Sequence, residues 1–563
     1  MTKYKGLPHL NILLKFKDLG FEPSRDLSSI VYRFHRLELV YFALELIYRN
    51  ELWQGYENFC KRICPFDNGI TFISLLANKF KKEGTLLADH HVVCMQTGLE
   101  ILKYLFSLPN DENPIDYDTL KDGGKLKAAD IFELVLRINE RITNSEYNIS
   151  PEDSVEDIFA NAATSMVENC DFSNYNLAVM PLLYMYKSSL FIEFCQKDNE
   201  LSKYLPELFS TYRCQDAKSY LHILAQIYCE SHKGEYGYSR LIFSDEAPAP
   251  ELFNKISCRI DELITEKNNR DYTAFRSKPI IRLSKNEYVV ICVPFLINKI
   301  YNSFVFDLSR ISGDGQHIRQ IISTRFSEST LLFPLIKSII EPRSPLHLSG
   351  EDCDKICETR SPDYYIRNWN DIFLIELKDY SFRADIKEDP SHDKIHQYIE
   401  EQFVSKSNGR DGAIKQLAHN VKAILDRNFI WDKSIQKPKN VYPILVVGNS
   451  LYATYGMTYI LNEKFNQELQ RKGISSSVVN PLIVIDIDTL ILYQDFFVRK
   501  HSSFKKEVRE YLKFIKKDFH TSKNIDLKVC SFMMPFPAYL NMKYNMDSMH
   551  LANKTKELDI WKN

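Results

Sequence analysis

SPDYYIRNWNDIFLIELKDY, residues 361–380, sets a Pro-Asp pair before a short apolar segment, a polar interruption, and then an apolar run that carries Glu376 and Lys378. The two apolar segments read as strands joined by the turn RNWND. Side chains alternate along a strand, so Glu376 and Lys378 point to one face while Ile375 and Leu377 point to the other. Pairing of the two strands brings Asp363 close to Glu376, from which twelve residues separate it in sequence. Asp371 lies on the turn and takes the place of Asp363 if the hairpin register differs.

Outward from this stretch, helix and strand signals alternate. From residue 320 they run as a helix (RFSESTLLFPLIKSII), the two strands, a helix (GAIKQLAHNVKAILDR), a strand (VYPILVVG), a helix (TYILNEKFNQELQRK) and a strand (NPLIVIDID). Such an order predicts an α/β sandwich with a mixed central sheet. The continuous apolar runs 441–447 and 481–486 suit strands covered on both faces. Residues 1–232 read as mostly helical, with apolar residues at three- and four-residue spacing. Residues 233–319 form a connector with a β-hairpin in KPIIRLSKNEYVVICVPFLI, its turn at Lys285 and Asn286. Residues 496–563 supply a C-terminal helix and tail.

A chain of 563 residues exceeds what one core usually organises. Hydrophobic residues make up 44% and charged residues 26%, a balance that excludes a disordered chain. The formal net charge of -2 excludes a global basic field, so nucleic-acid binding needs a local patch. The 12 cysteines are scattered behind a charged N-terminus, which predicts free thiols in a reducing cytoplasm. The longest apolar run, 289–297, is too short to span a bilayer, and no membrane association is expected.

Two carboxylates held together repel, and a shared proton or a divalent cation relieves the repulsion. Mg²⁺ (or Mn²⁺) takes oxygen ligands, polarises a phosphate and lowers the pKa of a bound water. Lys378 beside it orients or activates the attacking water, or offsets charge in the transition state. Acid-x-Lys triplets also occur at Asp216, Asp385 and Asp526, but 361–378 holds the single Pro-Asp dipeptide and the single Glu-x-Lys of the chain.

In Pro362-Asp363 and Glu376-Leu377-Lys378 the chain resembles the PD-(D/E)XK nuclease superfamily. The resemblance implies a restriction-endonuclease-like α/β/α core over 320–495 and metal-dependent hydrolysis of DNA phosphodiester bonds. Asp363, Glu376 and Lys378 are then catalytic. Glu328 in RFSESTLL matches the superfamily's acid on the preceding helix and joins Asp363 and Glu376 as a metal ligand. Lys415 or Gln416 in IKQLAHN matches its supporting residue on the following helix. Large chains that pair a helical N-terminal region with this core resemble prokaryotic restriction and anti-phage defence proteins. Two alternatives stay open: an inactive nuclease-like domain that binds nucleic acid or acts as a scaffold, and a nuclease that cuts RNA. Action as a homodimer also stays open.

In SSFKKEVREYLKFIKKD, Lys506, Arg509, Lys513 and Lys516 recur along one helix face, either to track a phosphate backbone or as a solvated face. The clusters His347, Cys353, Cys357 and Cys60, Cys64 lack four ligands in a zinc spacing. No P-loop is present, so any ATP-driven step falls to a separate ATPase or sensor protein. Neither G-x-S-x-G nor H-E-x-x-H occurs.

Overall fold

The computed structural model describes residues 12–83, 90–110, 113–142, 159–167, 179–231, 238–246, 248–262, 272–340, 344, 346–357, 361–388, 390–406, 409–435, 438–498, 503–516, 534–544 and 549–559. It combines helical regions with an α/β region, and its chain divides into two compact units. One comprises Pro8–Tyr147 and Pro206–Ser303; the other comprises Met1–Leu7, Asn148–Leu205 and Phe304–Asn563. The division does not follow the sequence boundaries at 232, 319 and 495. Among the described residues, 159–167 and 179–205 of the N-terminal helical stretch fall in the α/β unit, as do 304–319 of the connector and those of 496–563.

In the first unit, helices Arg36–Tyr48 and Met95–Phe106 cross where Gly98 lets the backbones touch: a Cβ there would lie 2.4 Å from the Ala43 carbonyl oxygen. Buried Asn139 donates to the carbonyls of Leu14 and Val92 at 2.7 and 2.8 Å, tying a two-stranded parallel pair to helix Gly123–Ile142. Strands Ile280–Arg282 and Glu287–Val290 form an antiparallel pair around Lys285 and Asn286. The apolar run that follows is not strand throughout. Pro294 stands in the first turn of helix Val293–Ile300, where its missing N–H costs nothing, so VPFLI coils instead of extending the hairpin.

The α/β unit is built on a five-stranded sheet. In chain order its elements are the π-helical segment α1 (Ile322–Leu332), α2 (Phe333–Ile339), β1 (Leu346–Ser349), β2 (Tyr364–Asn368), β3 (Asp371–Lys378), α3 (Ala413–Leu425), β4 (Asn440–Val447), α4 (Met457–Arg471), β5 (Ile483–Asp486) and α5 (Phe504–Ile515). The strand order is β5-β4-β3-β2-β1. β1, β2 and β3 pair antiparallel, while β3, β4 and β5 run parallel, so the sheet is mixed. β1 carries no strand signal in its sequence, because LHLS is short and only half-buried.

Helices cover both faces of the sheet. On one face Tyr365, Ile372, Leu374, Leu445 and Val484 pack into one core with Leu417 and Val421 of α3 and Leu461 and Phe465 of α4. On the other, Phe373 meets Phe504 of α5 with ring centroids 6.2 Å apart, and Tyr364 meets Phe333 of α2 at 5.8 Å. Burial of β4 on both sides explains its unbroken apolar sequence.

α1 and α2 form one continuous helix whose first part is π-helical. The hydroxyls of Ser329 and Thr330 bond carbonyls five residues back, those of Thr324 and Arg325, in keeping with the wider pitch. That width leaves room for the ring of Pro334, which an α-turn would crowd.

Candidate active site

The register of β2 on β3 pairs Tyr364 with Ile375, and one step further along it sets Asp363 across from Glu376. Parity agrees. Glu376 and Lys378 share a face with Ile372 and Leu374, and Asp363 shares it with Tyr365. The apolar positions of that face end at Leu374, and the charges begin where β3 reaches its C-terminal end.

Asp363 Oδ2 accepts the backbone N–H of Leu377 at 2.6 Å, a charge-assisted bond that anchors the carboxylate on β3. Lys378 Nζ lies 3.4 Å from Glu376 Oε2 and 3.7 Å from Asp363 Oδ2, so the ammonium bridges both acids. Glu376 is 1% exposed, and its Oε1 has no hydrogen-bond partner.

Glu328 on α1 lies within electrostatic reach of Asp363, Lys378 and Asp379; burial and then the charge of Asp363 push its carboxyl up to about 8. Burial, reinforced by Asp363, drives the Glu376 carboxyl well above the usual range. Lys378 goes up against the opposing effect of burial, because Asp363, Glu376, Tyr380 and Glu328 all favour its charged form. These directions keep Lys378 an ammonium and favour the protonated forms of Glu376 and Glu328.

The donor set fits a hard divalent ion. Glu376 offers a buried oxygen with nothing bonded to it, Asp363 stands opposite, and Mg²⁺ commonly takes one or two carboxylates and keeps several waters. Among the described residues no three His, Cys, Asp or Glu side chains form a metal-ligand group, and Glu328 is tied to the pair by charge and not by a contact. The cysteine clusters likewise bring no such set together: Cys60, Cys64 and Cys353 are buried free thiols, Cys357 is a free thiol, and the His347 ring lies beside the Tyr364 hydroxyl at 3.4 Å.

On α3 the two supporting candidates differ. Lys415 donates to Ser405 Oγ. Gln416 is half-buried, and its Oε1 is buried without a partner.

Asp371 is excluded from the acid pair. It begins β3, five residues and about 17 Å of strand before Glu376. There it accepts from Arg509 at 2.6 Å, Lys505 at 2.9 Å and Asn440 at 2.7 Å. The same contacts anchor α5 at that end of the strand. Lys506, Arg509, Lys513 and Lys516 are exposed on α5, but Arg509 is spent partly on Asp371, Lys506 pairs with Glu510 at 3.7 Å, and Lys516 reaches Asn480 at 3.3 Å. The basic face therefore does not flank the acids through Arg509.

Three residues of the site carried no usable signal. Asp379 follows β3, where strand alternation no longer says which way a side chain points; Ser327 Oγ donates to its Oδ2 at 2.5 Å. Gly448 follows β4 and donates its N–H to the Lys378 carbonyl at 3.1 Å, and a Cβ there would lie 2.0 Å from Asp379 Oδ1. In comparisons with protein-family models, curated proteins and solved structures, nothing matches the chain.

Proposed function

We propose that this chain is a metal-dependent endonuclease that hydrolyses phosphodiester bonds of DNA, with the β2–β3 acid pair as its centre and a PD-(D/E)XK-like core around it. The observation that carries the reading is Asp363 held opposite Glu376 with Lys378 Nζ within 3.7 and 3.4 Å of the two carboxylates. Acids buried together at a strand end are costly to a fold and fit a site that meets a cation.

Asp363 and Glu376 would hold Mg²⁺ (or Mn²⁺), with Glu328 as the third acid nearby. Bound there, the ion supplies Lewis-acid polarisation of a phosphoryl oxygen and a water of lowered pKa. Lys378, an ammonium drawn to both acids, would orient or activate the attacking water or offset phosphate charge. The Leu377 N–H holds the Asp363 carboxyl group at this position. The superfamily resemblance extends the proposal to restriction or anti-phage defence as its setting.

The test is a metal-titrated cleavage assay on supercoiled, linear and single-stranded DNA and on RNA, with wild type, Glu376→Ala and Lys378→Ala. Cleavage of DNA that EDTA stops and both substitutions abolish supports the proposal. Cleavage that survives both substitutions removes this site from the reaction, and cleavage of RNA alone changes the substrate.

A further inference from the structure

The β2–β3 hairpin closes through the pair Asn368 and Asp371, so Trp369 and Asn370 form a two-residue loop. Trp369 has φ +58°, the left-handed region, at a loop position that usually takes Gly, Asn or Asp. A bulky side chain there costs roughly 1 kcal/mol of backbone strain. Packing does not repay it: the indole is 73% exposed, the most exposed large apolar side chain among the described residues. Folding alone gives no reason for tryptophan at this position.

The loop is also held firmly. Asn370 O accepts the N–H of Lys439 at 2.8 Å, Lys505 Nζ donates to Asn368 Oδ1 at 3.1 Å, and Asp371 binds Lys505 and Arg509. Lys505 and Arg509 are thus tied to the residues that flank Trp369, and exposed Lys439 adjoins Asn370, so cations lie beside the loop that carries the exposed indole.

We infer that Trp369 is a stacking platform for an unpaired base of a nucleic-acid strand, with these cations on its phosphates. The inference rests on the nucleic-acid reading above for its ligand class and adds to it a contact seven residues up β3 from Glu376, remote from the cut. An aromatic face amid cations is the common device for single strands, since every base has a π-face and the phosphates meet the charges. A tightly bonded loop fixes where the side chain leaves the backbone, which lowers the entropy lost on stacking.

The experiment uses the full chain in EDTA at low salt, with a labelled oligonucleotide offered single-stranded and as duplex, and the variants Trp369→Gly and Trp369→Phe. Glycine suits the loop, so Trp369→Gly is expected to melt no lower than wild type. It is expected to weaken single-strand binding by about tenfold to a hundredfold. Trp369→Phe keeps most of the affinity, and duplex binding changes far less. Unchanged single-strand affinity in Trp369→Gly, equal loss for single strand and duplex, equal loss in both variants, a lower melting point for Trp369→Gly, or no binding by wild type each overturns the inference. Because EDTA removes cleavage from the measurement, this outcome is independent of whether the acid pair cuts DNA.

Discussion

Asp363 and Leu377 are tied across the β2–β3 pair, the Asp363 carboxylate accepting the Leu377 N–H at 2.6 Å. This bond decides which of the two aspartates in the hairpin belongs to the acid pair, and the two can be told apart by substitution. Asp363→Asn is expected to lower cleavage at least about a hundredfold, the scale for removing one electrostatic element of a site. Its stability should change little, because the asparagine oxygen still accepts from Leu377 and Glu376, relieved of the Asp363 charge that opposes its ionisation, becomes the counter-charge of Lys378. Asp371→Asn is expected to do the reverse. It leaves Lys505 and Arg509 without their counter-charge and costs about 2 kcal/mol, less than a fully buried pair because Arg509 is exposed. Denaturant melts and initial cleavage rates on both variants check the contrast, and a stable, active Asp363→Asn would refute it.

Lys378 competes with a metal for the same oxygens, since its ammonium lies 3.4 and 3.7 Å from the two carboxylates. Lys378→Ala is therefore expected to bind Mg²⁺ more tightly than wild type while cutting at least about a hundredfold more slowly. Calorimetric titration of Mg²⁺ alongside single-turnover cleavage measures both. Weaker binding in the variant would mean that Lys378 positions the acids, and not that it acts on water and phosphate.

Glu328 makes stability depend on pH in a definite direction. Its ordinary value is 4.5 and the folded value is about 8, so between these the folded chain binds more protons than the unfolded one. The stability it contributes is full below pH 4.5 and is lost as pH rises through about 8. Glu328→Gln keeps the shape of the protonated acid and cannot ionise. It should melt like wild type near pH 4.5 and above it by pH 8, with the gap opening across that window, when both are scanned in EDTA. A gap that narrows with rising pH would contradict the burial and charge assigned to Glu328.

What the sequence disclosed about the site follows from strand geometry. Period-two alternation puts Glu376 and Lys378 on one face, and the hairpin sets Asp363 opposite Glu376. The turn expected at RNWND narrows to Trp369 and Asn370, because Arg367, Asn368 and Asp371 extend the strands. Asp371 is ambiguous in the sequence because register depends on where the turn closes; Asn368 and Asp371 close it, and Asp371 binds Arg509 and Lys505, more than 130 positions away. Asp379 and Ser327 were hidden for a related reason: one lies past the end of a strand, and the other on a helix whose π-turns break the period that predicts its faces. The unit boundary was hidden too, since helices 159–167 and Met180–Lys197 carry the same apolar spacing as those of the first unit.

Gly448 is a position where the fold admits no side chain, and the reason lies in the site. A Cβ would fall 2.0 Å from Asp379 Oδ1 and 3.1 Å from Asp379 Cα, so Gly448→Ala must displace the carboxylate from Ser327 or part the ends of β3 and β4. The expected cost is about 1–3 kcal/mol, the usual scale of overpacking. Asp379 also contributes to the charge felt by Glu328, so cleavage should fall with stability. Asp379→Ala removes the colliding oxygen, and combining it with Gly448→Ala should recover part of the lost stability, with a coupling of about 0.5–3 kcal/mol in a double-mutant cycle. Additive losses would show that alanine at 448 acts through the strand ends alone, with Asp379 free to move aside.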